Sequence, residues 1–254
     1  MKRIGLLSAG SSAPAGGYAD RIEAEIRHRF GYDGTCRMAS VALHDPELIE
    51  AIEAQDPRRL LETARGGVDA LVGLGADAIV PCSSRLQAVT ELLTPMVPVL
   101  AMHEAVGAAL RSLNLRRIGL VGAFSEKEEK LWRKSLTKHQ VLDMFVPVAR
   151  DREHLAHLTR EELHLGIVNQ TTRADLGRIV YSLRRAGARA IVLANPELTL
   201  GLSHLDPVLP VLDAVELHAI SAVEWSLRTE TGDGHFPRTT PREKRQINRA
   251  NTQA

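Results

Sequence analysis

The sequence predicts an α/β fold built twice, as two similar halves that each hold a parallel sheet flanked by helices. Three observations carry this prediction. Arg3-Ile4-Gly5-Leu6-Leu7 returns as Arg117-Ile118-Gly119-Leu120-Val121, 114 residues later. Gly75-Ala76-Asp77-Ala78-Ile79-Val80 returns as Gly187-Ala188-Arg189-Ala190-Ile191-Val192, 112 residues later. Short apolar runs alternate with longer amphipathic segments along the chain, the pattern of strands covered by helices on both faces.

In the first half, Ile4 to Leu7 reads as a buried strand running into the Gly/Ser loop Ser8 to Gly17. Tyr18, Ile22, Ile26 and Phe30 then recur at helical spacing. Arg37 to Leu43 is a second strand. Pro46 to Ala54 and Pro57 to Gly73 are helices, the latter with proline in its first turn. Ala78 to Val80 is a strand, Leu86 to Leu93 a helix and Val97 to Leu100 a further strand. The second half predicts a strand at Ile118 to Val121, a charged helix at Glu126 to Leu136 and a strand at Met144 to Val148. Helices follow at Glu161 to Gln170 and Arg173 to Ala186, strands at Ile191 to Leu193 and Val208 to Leu212, and a last helix at Glu216 to Leu227. The tail from Arg238 carries five basic residues against one Glu and a single large aliphatic, Ile247, and reads as a solvated end.

Bulk properties narrow the function classes. Hydrophobic residues make up 44% of the 254 and charged residues 25%, as in ordinary globular chains. A formal charge of +1 gives no electrostatic reason to expect nucleic acid or an anionic membrane as partner. Cys36 and Cys82 are the only cysteines, too few for a disulfide framework and suited to a reducing cytoplasm. No apolar run approaches the roughly 18 residues of a membrane span, and the N-terminal apolar stretch is too short for a signal peptide. Neither a P-loop nor a dinucleotide fingerprint is present, because Gly10, Gly16 and Gly17 lack the spacing. His154, His157 and His164 have no Cys or carboxylate pattern to complete a metal site, so no metal or cofactor is expected. Arg116-Arg117 and Arg184-Arg185 read as solvated faces.

The chemistry is expected where the repeats end, at Pro81-Cys82-Ser83-Ser84 and Leu193-Ala194-Asn195-Pro196-Glu197. Those loops resemble the aspartate/glutamate racemase family, the racemases that work without pyridoxal phosphate. The resemblance spans residues 3 to 227. It rests on Ile4-Gly5-Leu6-Leu7 with Ser11, Gly75 to Val80, Ile118 to Gly122, Glu162 to Val168, Gly187 to Val192 and Pro210 to Ala219. It implies two α/β domains related by a pseudo-twofold axis, with the active site between them. The implied domains are 1–102 with 208–227, then 103–207, leaving 228–254 as a disordered basic tail. It also implies a homodimer and a small amino-acid or carboxylate ligand.

Cofactor-independent racemisation removes an α-proton from one face and returns one to the other, while the site holds the carboxylate and the developing enediolate. The family places a cysteine at the end of each repeated strand, because a thiol titrates near neutrality. This chain departs from that pattern. Asn195 stands eight residues after Gly187, at the second thiol position, and has no useful acid/base pKa; Pro196 replaces a carboxylate-binding Thr, and Glu197 alone is kept. In the first half, matching Pro-Cys-Asn-Thr makes Cys82 the thiol, whereas counting eight residues from Gly75 reaches Ser83. The family His four residues further on is Leu86 by the first alignment and Gln87 by the second. Adjacent residues at a strand end point to opposite faces, so Cys82 and Ser83 cannot serve alike.

Other hydroxyls of the family pattern are thinned as well, with Ala15 at one position and Gly122-Ala123-Phe124-Ser125 at another. Cys82, Ser83, Asn195 and Glu197 are the catalytic candidates; Ser11, Ser12, Ser84, Ser125 and His218 are the substrate-binding ones. Arg85 and Glu197 sit at equivalent places after the two loops and read as a salt bridge or as ligand contacts, the structural role being favoured. Three functions follow: a cofactor-independent isomerase or racemase; one-sided carbon-acid chemistry, as in a decarboxylase, lyase or hydrolase; or a homologue that binds a metabolite or partner without catalysis.

Overall fold

The structure is a computed structural model. It describes residues 1–9, 13–32, 34–43, 51, 56–82, 84–87, 93, 96–122, 126–202 and 209–228, without the side chains of 13–16, 57, 84, 85, 164, 196 and 200. The expected helix at 46–54, the end of the expected helix at 86–93 and the tail beyond residue 228 lie outside the described residues. The chain divides into two compact units. One takes in Met1–Ala105 and resumes at His218; the other runs Val106–Leu217.

The first unit holds β1 (Ile4–Ala9), α1 (Ala13–Phe30), β2 (Met38–Leu43), α2 (Pro57–Gly73), β3 (Ala78–Pro81) and α3 (Ser84–Gln87), followed by the start of α4 (Met102–Ser112). Its sheet has the order β2-β1-β3, all parallel, and Val99 adds a parallel bridge to Ile79. On α2, Leu60, Ala64, Val68 and Leu71 recur at helical spacing and are buried with Leu7, Ile79 and Leu86. Asp56 starts that helix by accepting from the N–H groups of Arg58 and Arg59, at 2.9 and 3.4 Å. Tyr18, Ile22 and Ile26 bury the apolar stripe of α1.

The second unit holds β4 (Arg117–Val121), α5 (Glu126–Lys138), β5 (Asp143–Phe145), α6 (Ala149–Glu161), α7 (Gln170–Ala186), β6 (Ala190–Leu193), α8 (Pro196–Leu202) and β7 (Val211–Asp213), followed by the start of α9 (Ala214–Leu227). The sheet order is β5-β4-β6-β7, again all parallel. Its core packs Leu176, Ile179 and Leu183 of α7 with Val121, Leu155, Ile191, Leu193 and Leu198.

Several elements differ from the sequence reading. Glu161 to Gln170 is not one helix. Glu161 ends α6, a short 3-10 turn covers Leu163–Leu165, Gly166 turns left-handed at φ 73°, and Asn169 starts α7 by accepting from Thr172 N–H. A left-handed glycine and an Asn cap stop one helix and begin another, which overrides the apolar periodicity of that stretch. The strand expected at Met144 to Val148 ends at Phe145. Val97 to Leu100 contributes only the Val99 bridge. The strand near 208–212 is Val211–Asp213, and it pairs with β6. By contact, the described residues through Leu217 fall in the second unit and the first unit resumes at His218, within α9.

The repeat is closer in space than in sequence. β1 meets β3 with Gly5 opposite Ile79, and β4 meets β6 with Gly119 opposite Ile191. Gly75 and Gly187 end α2 and α7 with φ of 78° and 114°, a region that strains any residue with a Cβ. Each glycine N–H reaches the carbonyl three residues back, Val72 in one unit and Arg184 in the other. The repeat also extends past the strands: Ile79 N–H bonds to Pro98 O and Ile191 N–H to Pro210 O, both prolines again 112 residues apart.

Candidate active site

The end of each repeated strand is fixed by one backbone hydrogen bond. Cys82 N–H donates to Leu7 O at 2.8 Å, and Ala194 N–H donates to Val121 O at 2.9 Å. Leu7 is paired with Pro81 and Val121 with Leu193, so Cys82 and Ala194 are the same position in the two units. Both are buried, at 5% and 4% exposure. By this register the twin of Asn195 is position 83. This register agrees with the count from Gly75.

Cys82 behaves as a core thiol in the first unit. Its Sγ lies 3.4 Å from the Val80 carbonyl. Burial pushes the thiol pKa well up, and the backbone hydrogen bond from Leu7's side of the sheet only partly opposes that. Burial thus works against the thiolate form that a catalytic thiol base would need. Asn195 is partly exposed, its own carbonyl accepts from Leu198 N–H at 3.2 Å, and it directly precedes α8. Proline as the next residue suits that helix start, since its missing N–H would have had no partner inside the helix. Glu197 lies in the first turn of α8 and is half-buried.

Thr199, one turn of α8 beyond Asn195, donates to Asp213 Oδ2 at 3.0 Å. The other carboxylate oxygen of Asp213 starts α9 by accepting from Val215 and Glu216 N–H, at 2.8 and 3.3 Å. Gln87 is the residue at that place in the first unit, and it is 4% exposed. Its Nε2 donates to Pro81 O at 2.8 Å and its Oε1 accepts from Met102 N–H at 2.9 Å. Neither Thr199 nor Gln87 stood out in the sequence as a functional residue. The signal was there: counting from Gly75 put Gln87 where the resemblance expected a histidine.

His218 is fully buried, with no exposure. Its Nε2 lies 2.7 Å from Leu100 O and its Nδ1 2.8 Å from the Tyr18 hydroxyl. A carbonyl only accepts, so Nε2 carries the proton and Nδ1 accepts from Tyr18. Both ring nitrogens are thereby engaged, and the ring pins α9 to α1 within the first unit. Burial lowers its pKa to about 4, with a further lowering from His103 set against the Leu100 bond.

Ser11, Ser12, Ser83 and Ser125 lie outside the described residues, as do the side chains of Ser84 and Arg85. Ser84 is placed only as the first residue of α3. Ser8, on β1 just before the Gly/Ser loop, is buried with no hydrogen-bond partner for its Oγ among the described residues. His154 pairs with Asp175 at 2.8 Å. Among the described residues no group of three or more His, Cys, Asp or Glu is placed to hold a metal, and no helix is long and apolar enough to cross a membrane.

Parallel strands whose C-terminal ends run into short helices, repeated in two units, define an α/β protein of the kind that carries ligand chemistry at those ends. The family model for Asp/Glu/Hydantoin racemases matches residues 4–222, and the chain belongs to that family. Solved structures agree on the fold. A Yersinia pestis protein provisionally assigned as an Asp/Glu racemase is 24% identical, with 90% of this chain and 100% of that one covered and a TM-score of 0.82. An aspartate racemase homologue from Pyrococcus horikoshii is 19% identical over 90% of this chain and 100% of that one, with a TM-score of 0.79. Arylmalonate decarboxylase matches more distantly, at 15% identity over 92% of this chain and 94% of that one, with a TM-score of 0.50.

Proposed function

We propose that this protein is a cofactor-independent isomerase or racemase of a small amino acid or carboxylate, with its chemistry at the ends of β3 and β6. The observation that supports this most is the shared register of the two strand ends. It gives Cys82 and Ala194 the same buried place, each in its own unit, and counting one residue on pairs Ser83 with Asn195 in sequence. Proton transfer then falls to Ser83 in the first unit and to Glu197 in the second. Asn195 can donate a hydrogen bond to charge developing on the substrate carboxylate, a role that needs a dipole and not a titrating group. Ser11, Ser12, Ser84 and Ser125 supply further donors for the carboxylate, and Ser8 carries a buried hydroxyl that a ligand would satisfy. A homodimer in the cytoplasm completes the reading; a measured mass of one chain in light scattering would remove the dimer from it.

A second reading has its own observation. An amide at one of the two thiol positions leaves a single titrating side chain, Glu197, at the end of β6. One proton donor suffices for one-sided chemistry such as decarboxylation or elimination. One experiment separates the two. The protein is incubated in D2O with each enantiomer of aspartate, glutamate and a panel of small amino and hydroxy acids, and the α-proton is followed by NMR. Exchange with inversion supports the isomerase, and exchange with retained configuration supports one-sided chemistry. A silent panel together with ligand-dependent thermal stabilisation would point instead to a binding protein.

A further inference from the structure

Between Pro81 and Gln87 the chain passes from the sheet into α3, and residues 82–84 lie within that span. The carboxamide of Gln87 closes it. Its Nε2 holds the carbonyl of Pro81, the last residue of β3, at 2.8 Å, and its Oε1 holds the first N–H of α4, on Met102, at 2.9 Å. The side chain is buried, so water is a poor substitute for either bond. The second unit makes the same connection with different chemistry. Thr199, the twin of Gln87, donates to Asp213, whose other oxygen starts α9, and Ala214 is the twin of Met102. Two units that have diverged at Cys82/Ala194, Ser83/Asn195 and Arg85/Glu197 both keep a side chain here that ties the strand-end helix to the next long helix.

We infer that Gln87 is a positioning residue: it holds the end of β3, at Pro81 and Cys82, by tying it to the N-terminus of α4. The inference rests on the reading of that strand end as a seat of chemistry. Gln87 acts on this reading through the strand end it holds, by way of Pro81 and Met102. Loss of the carboxamide frees the strand end, so Cys82, which lies inside the span, becomes more reachable by reagents.

The test follows Cys82 alkylation by a maleimide in a Cys36→Ser background, with the native rate divided by the rate in urea at the same pH. Gln87→Leu should raise this ratio about tenfold or more, as expected when two buried backbone groups lose their partner. It should also lower kcat for α-proton exchange more than it changes KM. Gln87→Glu separates clamping from packing within one protein. Its protonated carboxyl can both donate to Pro81 O and accept from Met102 N–H, whereas the carboxylate can only accept. Protection of Cys82 relative to the parent should therefore be near parental in acid and lost as the introduced carboxyl ionises. A ratio in Gln87→Leu within twofold of the parent, or a Gln87→Glu variant whose protection does not depend on pH, would overturn the inference. If the parent exchanges no α-proton with any substrate, the functional reading fails, while the alkylation measurements still decide the clamp.

Discussion

Acidification should destabilise this protein through one imidazole. His218 is fully buried between Tyr18 and the Leu100 carbonyl as the neutral Nε2–H form, with its pKa held at about 4. In the unfolded chain a histidine titrates near 6.5. Between those values the unfolded state binds the proton and the folded state does not, so stability falls as the pH falls. Each unit of pKa difference is worth about 1.4 kcal/mol, and the whole window corresponds to about 3 kcal/mol. The contribution is complete above pH 6.5, is lost on the way down to about pH 4, and changes no further below that. His218→Gln isolates it, since an amide can accept from Tyr18 and donate to Leu100 O but takes up no proton in this range. Urea unfolding of parent and variant is measured from pH 3.5 to 7.5. Carboxylates titrate in both proteins and largely cancel in the difference. The parent should lose about 3 kcal/mol more than the variant between pH 6.5 and 4. Parallel pH curves for the two proteins would refute the assigned burial and tautomer.

Other perturbations have defined outcomes. Gly75→Ala forces a Cβ onto a φ of 78° and should cost about 1–2 kcal/mol in thermal or urea unfolding, most of it backbone strain because the nearest side chain, Arg3, can move away. Thr199→Val removes the donor to Asp213 and should cost about 1 kcal/mol, with no change in the net charge of the chain. Asn195→Cys alone should create no new racemase activity, whereas Ser83→Cys with Asn195→Cys should, in a chiral assay of aspartate or glutamate. A gain from Asn195→Cys by itself would return the first thiol role to Cys82.

Much of this was legible in the sequence because it is local. The repeated Gly-Ala and Ala-Ile-Val elements after α2 and α7 announced the buried strands that follow, though not the left-handed turns at Gly75 and Gly187. The sequence left Cys82 and Ser83 as alternatives, one by motif and one by the count from Gly75, and the two strand-end hydrogen bonds follow the count. Periodicity failed where short-range turn chemistry decided the outcome: Gly166 and Asn169 split a stretch that reads as one helix. It also could not tell that β7 joins β6, since the edge of a sheet is chosen by tertiary pairing. The partners of Gln87 and the Tyr18–His218 pairing were invisible for the same reason, although counting from Gly75 had marked position 87 and the resemblance had marked His218. Their partners lie 15 and 200 residues away, and nothing in the residue types announces the match.

The central claim is that position 83 and Glu197, and not Cys82, carry the chemistry. α-Proton exchange in D2O, measured side by side for the parent, Cys82→Ala, Ser83→Ala and Glu197→Gln, tests it most directly. The account predicts exchange in the parent, near-parental exchange in Cys82→Ala, and its loss in Ser83→Ala and Glu197→Gln with each variant still folded. Exchange lost in Cys82→Ala but kept in Ser83→Ala would contradict it.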